Sequence, residues 1–288
     1  MANSLVLHSA ARHYDLLAWL LTLGRERALR ERLVDLARLQ PGETVLDVGC
    51  GTGSLAVTAK RRVGAAGVVR GIDASPEMIE HARTKAARAG IDVSFDLGRA
   101  EALPCPDGSV DVVLSTLMMH HLPRAVREAF AAEIHRVLKP SGRVLVVDFE
   151  PPATGRGGLI SRFHRHGHVP AREISETLRR ARLRVSDVGS VGASDLHFAV
   201  ATPSPDEIAA DAPMPSYRTM QALPLPRWLL AVGAIMILLV AHLLLLRVAW
   251  PALATGSLVT LVVVAIIAAH GGAVGGFHAF LRKHRQRR

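Results

Sequence analysis

The stretch VLDVGCGTGSLA, Val45 to Ala56, sets three glycines at alternate positions between an apolar run and a helix-like run. Glycines at 49, 51 and 53 allow positive φ and let a ligand approach backbone that carries no Cβ. A plain turn has no use for three. The dinucleotide signature G-x-G-x-x-G is not met, because position 54 is Ser. Asp47, two residues before the first glycine, would also set negative charge beside a pyrophosphate. It suits a ligand with an ammonium group.

Outward from this stretch, short apolar runs alternate with helical patterns. Runs at 44–48, 68–72, 91–95, 110–115 and 143–149 predict strands, and segments 54–63, 76–89 and 124–138 predict helices. Ser75-Pro76-Glu77 reads as an N-cap followed by proline in the first helical turn. Lys139-Pro140-Ser141-Gly142 reads as a stop before the next strand. A helix over 171–182 and strands over 183–191 and 196–202 extend the pattern. The fold class is therefore α/β, a doubly wound and mostly parallel sheet spanning 41–202. Residues 9–38 show apolar positions at helical spacing, broken near Gly24, so 1–40 form a helical cap.

In such a sheet, ligands bind beyond the C-terminal strand ends where the connectivity reverses. The second strand ends in Gly71-Ile72-Asp73, and a carboxylate there is placed to accept from both hydroxyls of a ribose. A pocket built for a ribose and a cation, without phosphate, matches S-adenosylmethionine.

The motif D-x-G-x-G-x-G at 47–53 is followed by GIDASPEMIEHAR (71–83), EALPCPDGSVDVVLSTLMMHHL (101–122) and EIHRVLKPSGRVLVVDF (133–149). These blocks, in this order, resemble the class I S-adenosylmethionine-dependent methyltransferases, with the ubiquinone/menaquinone C-methyltransferases as the closest subgroup. The resemblance covers about residues 10–202 and implies a Rossmann-like sheet of seven strands whose last is antiparallel. It implies that Asp47, Gly49, Gly51 and Gly53 surround the methionine part of the cofactor, with Cys50 inside the same turn. Asp73 would bind the ribose, Ala74 and Met78 would flank the adenine, and Ser115 would line the pocket below the sulfonium. The family often has Asp-Ala after the third strand, whereas this chain has Arg99-Ala100. Ala100 carries over by position, and Glu101 is the candidate substitute for the missing acid.

His120-His121 follows the fourth strand at the pocket mouth, where a general base can sit, and His121 is the candidate. Tyr14 falls where the subgroup uses a tyrosine from an N-terminal helix to close over the cofactor. In RFHRHGH, 162–168, histidines alternate, which suits a metal on an extended segment. The flanking arginines favour a solvated or phosphate-facing strip, so no metal is expected. Two cysteines without C-x-x-C spacing leave no zinc framework, and Cys105 reads as an inert loop thiol.

A net charge of +10 points to nucleic acid or anionic lipid. Nucleic acid is disfavoured. The chain has three Trp, two Tyr and seven Phe for base stacking and lacks an N/D-P-P-Y/F motif at the pocket.

Residues 203–227 read as a proline-rich linker. Beyond it lie apolar spans 228–246 and 252–270, each reaching roughly 28 Å as a helix, about the thickness of a bilayer core. The expectation is a transmembrane hairpin over 228–281 and a basic tail over 282–288. Arg218 and Arg227 before the spans and the basic tail after them place both ends in the cytoplasm, with the protein at the cell membrane. His242, inside the first span, reads as a packing residue. Tethering suits a lipid-like methyl acceptor, a quinone precursor or an aminolipid. A soluble acceptor with the hairpin as an address, and a cofactor-binding sensor without turnover, remain alternatives.

Overall fold

A computed structural model describes residues 24–151, 168–193, 195–205, 213–224, 228 and 235–242. Its elements in chain order begin with α1 (Glu26–Leu36), β1 (Thr44–Val48), α2 (Ser54–Val63), β2 (Val68–Asp73), α3 (Pro76–Ala89) and β3 (Ser94–Leu97). They continue with β4 (Val110–Thr116), α4 (Arg124–Val137), β5 (Leu138–Phe149), α5 (Ala171–Arg180), β6 (Leu183–Ser190), β7 (Leu196–Pro203) and β8 (Tyr217–Thr219). The sheet order is β3-β2-β1-β4-β5-β7-β6-β8. Strands β1 to β5 pair in parallel, while β7 is antiparallel to both β5 and β6.

Period-two alternation divides the strands between two apolar layers. Val45, Leu114 and Leu145 join α1, α2 and α3 in one cluster. Leu46, Val48, Val113 and Val146 join α4 and α5 in the other. The central strands β1, β4 and β5 are apolar on both faces because helices cover both. The helices begin and end as their sequences dictate. Ser75 Oγ accepts from the Met78 N–H at the start of α3, with Pro76 next in line, and Gly90 closes that helix at φ 62°.

Four expectations need correction. The third strand starts at Ser94, not 91, because Ile91 is taken up in sealing the C-terminal cap of α3. Its N–H bonds to the Ala86 carbonyl, and its side chain packs on the core just past the Gly90 cap. Lys139 to Gly142 do not precede β5 but bulge within it, between the pairs Val110↔Leu138 and Val112↔Arg143.

The stretch 203–227 is not linker throughout, and the sheet has eight strands rather than seven. Pro203 closes β7, and Tyr217–Thr219 form β8, parallel to β6. Leu223 is buried, its N–H bonds to the Gly192 carbonyl, and Arg32 Nη1 reaches the Gln221 carbonyl at 2.6 Å. Gly189 admits this strand, since a Cβ there would lie 1.9 Å from the Arg218 carbonyl oxygen.

The chain divides into two compact units, Met1–Pro224 and Leu225–Arg288. In the second unit, residues 235–242 are helical, and Ile235 to Val240 are all exposed. His242 bonds through Nδ1 to the Leu238 carbonyl at 3.1 Å. Among the described residues no helix is long and apolar enough to cross a membrane. Most of the first expected span and all of the second lie outside the described residues.

Candidate active site

β1 pairs with β2 on one side and β4 on the other, so the connectivity reverses at its C-terminal end. The chain there must turn from strand to helix within five residues, Gly49 to Gly53. Gly53 caps α2 at φ 74°, and a Cβ on it would lie 2.6 Å from Phe95 Cζ and 2.8 Å from Ala82 Cβ. Gly51, at φ 51°, has no atom of the described residues within 4 Å of such a Cβ. One glycine is demanded by packing against α3 and β3. The other meets none of the described residues, which leaves room beside the loop for a ligand.

Asp73, at the end of β2, holds this loop in place. Its Oδ2 accepts from the Gly51 N–H at 2.9 Å, and its Oδ1 accepts from the Ser75 N–H at 2.9 Å. Each oxygen keeps a lone pair for an incoming hydroxyl. From the other side Lys85, on α3, donates to Thr52 Oγ1 at 2.8 Å and to Ser54 Oγ. Ala74 is exposed and Met78 half-buried just beyond Asp73, an apolar rim suited to a flat heterocycle.

Asp47 is 1% exposed, and neither carboxylate oxygen has a hydrogen-bond partner among the described residues. Burial pushes its carboxyl up to about 7, the charge of Asp73 adds to the rise, and Arg30 opposes it. The backbone near Ala56 is a minor lowering influence, without the geometry of a hydrogen bond. Ser115 Oγ, also buried, is likewise without a partner among the described residues. A buried carboxylate beside a second carboxylate is costly unless a cation meets it. The ammonium of an amino-acid moiety supplies that cation, so these residues fit S-adenosylmethionine.

Cys50 points into the core, where burial, with Asp47 and Asp73 behind it, pushes its thiol far up. It offers the pocket only backbone. Cys105 is also raised, mainly by burial. Ala100 is buried, as its position after β3 requires. The Glu101 carboxylate is held by Arg99, whose Nε donates to Oε1 at 2.6 Å. Its own backbone N–H is the largest of the influences that hold its carboxyl below the usual carboxylate range.

The sequence missed the arrangement after β4. Leu117 adopts φ 57°, a left-handed conformation rare for a branched side chain. It turns the chain across the strand ends, so that Met118 Sδ would lie 2.7 Å from a Cβ on Gly49. The short 3-10 turn Met119–His121 follows. His120 Nδ1 lies 2.6 Å from Asp148 Oδ1, with side-chain exposures of 5% and 0%. Asp148 also accepts from the backbone N–H of His120 and of Phe149. His121, the sequence candidate, is exposed, its ring 3.9 Å from that of His120. An acid inside the apolar run RVLVVDF was the available signal for Asp148.

His197, paired with Asp148 across β5 and β7, is fully buried. It lies 3.1 Å from Glu150 Oε2 without a hydrogen bond, and burial holds its ring below the ordinary range, against the pull of Glu150 and Asp148. Tyr14 and residues 162–167 lie outside the described residues. Among the described residues no cluster could hold a metal.

Comparison with known proteins agrees with this geometry. A family model described as a methyltransferase domain matches residues 45–142. Over 154 residues the chain is 42% identical to a demethylmenaquinone methyltransferase of Thermus thermophilus, covering 54% of this chain and 69% of that protein. It is 38% identical over 167 residues to a ubiquinone/menaquinone biosynthesis C-methyltransferase of Xanthomonas campestris, covering 57% of this chain and 65% of the relative. Among solved structures, a SAM-dependent methyltransferase from Aquifex aeolicus superposes with TM-score 0.53 at 27% identity, covering 61% of this chain and 89% of the other.

Proposed function

Because the chain belongs to the S-adenosylmethionine-dependent methyltransferases, we propose that it methylates a carbon of a quinone precursor at the membrane surface. The observation that carries the cofactor half is the buried Asp47 carboxylate, without a hydrogen-bond partner among the described residues. Asp73 would hold the ribose, Ala74 and Met78 the adenine, and Ser115 would lie below the sulfonium. The acceptor half is supported by the activities for which the two relatives are named. Membrane residence is supported by the exposed run Ile235 to Val240 and by the charge-free apolar sequence around it. In this reading 228–281 is a hairpin anchor, and the catalytic unit and both termini are cytoplasmic.

The test is to incubate the full chain with methyl-labelled S-adenosylmethionine and a chemically reduced, short-chain demethylmenaquinone in detergent, then identify the product by chromatography. Label in the methylated naphthoquinol supports the reading. Label appearing only in a water-soluble acceptor supplied alongside would instead favour the hairpin as an address. For topology, a reporter active only in the cytoplasm should give signal when fused after Arg288 and none when inserted within 247–251. The reverse pattern would overturn the orientation.

A further inference from the structure

We propose that His120 is the proton acceptor of the methyl-transfer step, with Asp148 as the residue that positions it. This rests on the quinol reading above. Three observations converge on the pair. First, Asp148 is completely buried, yet its two oxygens are spent on His120 and on the backbone that carries it. Holding an acid in an apolar strand is costly, and the arrangement fixes one ring. Second, with Nδ1 donating to Asp148 at 2.6 Å, the neutral ring carries its hydrogen on Nδ1 and its lone pair on Nε2. That is the tautomer of a base. Third, the turn holding His120 is bent over the strand ends by the left-handed Leu117, and its Met118 packs on Gly49 of the cofactor loop. Strained backbone beside a ligand loop marks a functional site. His121, by contrast, lies exposed at the end of the same turn.

The chemistry needs a group of this kind. An aromatic ring carbon is a weak nucleophile until a neighbouring hydroxyl is deprotonated. Nε2 of His120 takes the hydroxyl proton, and the electron pair left on oxygen moves through the ring to the adjacent carbon. That carbon forms the new C–CH3 bond while the S–CH3 bond breaks with its pair remaining on sulfur, giving the thioether. The ring then loses the hydrogen on the methylated carbon to solvent, and His120 returns its proton to the oxygen. One proton is released for each methyl transferred.

The test uses the full chain in detergent with reduced demethylmenaquinone as the probe acceptor. His120→Gln should lower kcat about 10²- to 10⁴-fold, the range of general-base contributions. Affinity for S-adenosylhomocysteine should change by less than about twofold. At saturating S-adenosylmethionine, where proton loss from Asp47 no longer limits binding, the acid-side fall in kcat of the parent enzyme should vanish in this variant. Imidazole should restore part of the activity of His120→Gly. Asp148→Asn should lower kcat at least about tenfold and be rescued in part by Asp148→Glu.

A fall in cofactor affinity matching the fall in rate would make the pair structural and overturn the proposal. So would unchanged kcat in His120→Gln. Nitrogen-15 NMR of the labelled protein gives a reading independent of any acceptor. It should show the His120 neutral form protonated at Nδ1 and shifted away from that form in Asp148→Asn. An Nε2-protonated ring in the parent would overturn the proposal. If the parent enzyme leaves demethylmenaquinol untouched, the quinol reading fails by itself. The same variants are then compared by label transfer into total membrane lipid extract, where unchanged transfer in His120→Gln overturns the base.

Discussion

The two ends of the parallel strands carry similar residues and treat them in opposite ways. At the N-terminal end, Asp111 accepts from the Thr44 N–H at 2.9 Å and from Lys139 Nζ at 2.8 Å through both oxygens. Nearby, Glu43 takes Arg143 through both of its own oxygens, and Arg143 also reaches the Ala37 and Arg38 carbonyls. Burial alone would raise the Asp111 carboxyl, but Lys139 and the Thr44 N–H outweigh it and hold it below its ordinary range. At the C-terminal end Asp47 is raised to about 7, its oxygens without partners among the described residues, and Leu117 is left-handed. One end is satisfied by its own chain. The other is unfinished until a ligand arrives, which is how a binding site differs from a well-packed edge.

The largest expected effect follows from Asp73. Asp73→Ala removes acceptors for two ribose hydroxyls and should weaken S-adenosylhomocysteine binding by about 2–4 kcal/mol, as judged from charged hydrogen bonds. It also strands the Gly51 and Ser75 N–H groups, so the ligand-free protein should lose about 1–2 kcal/mol of stability. Calorimetric titration reads the first and denaturant unfolding the second. Unchanged affinity would remove Asp73 from the site.

Gly53→Ala comes next, and its effect falls on the fold. The αL conformation costs about 1–2 kcal/mol for a side chain, and contacts at 2.6 and 2.8 Å add about 1–3 kcal/mol of overpacking. Gly108→Ala, also at positive φ but with nothing among the described residues within 4 Å, should cost only the first part. If both variants unfold at the same denaturant concentration, Gly53 is not pinned by Phe95 and Ala82.

Asp47→Asn should separate stability from function. At about pH 8 it removes a buried charge and should raise the stability of the ligand-free protein by about 1–2 kcal/mol. It should at the same time weaken cofactor binding by about 1.5–3 kcal/mol, the worth of a charged hydrogen bond. Asp111→Asn, at the satisfied end, should lower stability and leave binding untouched. A variant at Asp47 that loses stability would show that its oxygens are already paired.

Much of the molecule was legible because odd residue types sit where patterns break. Asp47 interrupts an apolar run, Asp73 ends one, and three glycines cannot be accidental, so the cofactor loop followed from sequence. β3 was misplaced because Ile91 is apolar in either role, as a strand start or as the residue sealing a helix cap. β8 gave no signal at all. Its three residues are exposed and hold their place through backbone pairing to β6, which hydropathy does not register. Choosing between His120 and His121 required the bend at Leu117, a property of backbone conformation rather than of residue type.

The smallest effect is a proton. In the ligand-free fold Asp47 has its pKa raised from 3.8 to about 7, so the folded protein holds a proton there that the unfolded chain releases. The stability from this group is complete below the unfolded value and is lost as pH rises through about 7. An ammonium beside the carboxylate favours the ionised form, so cofactor binding must expel the proton. At about pH 6, S-adenosylhomocysteine should therefore release a substantial fraction of a proton, and its affinity should climb with pH by at most about 1.4 kcal/mol per unit before levelling off above 7. Titration calorimetry in two buffers of different ionisation enthalpy reads the release directly. The enthalpies should differ at about pH 6, converge at about pH 8, and coincide at both in Asp47→Asn. Identical enthalpies at the lower pH in the unmodified protein would mean that Asp47 is already ionised before the ligand binds. The contrast between the two ends of the sheet would then rest on backbone geometry alone.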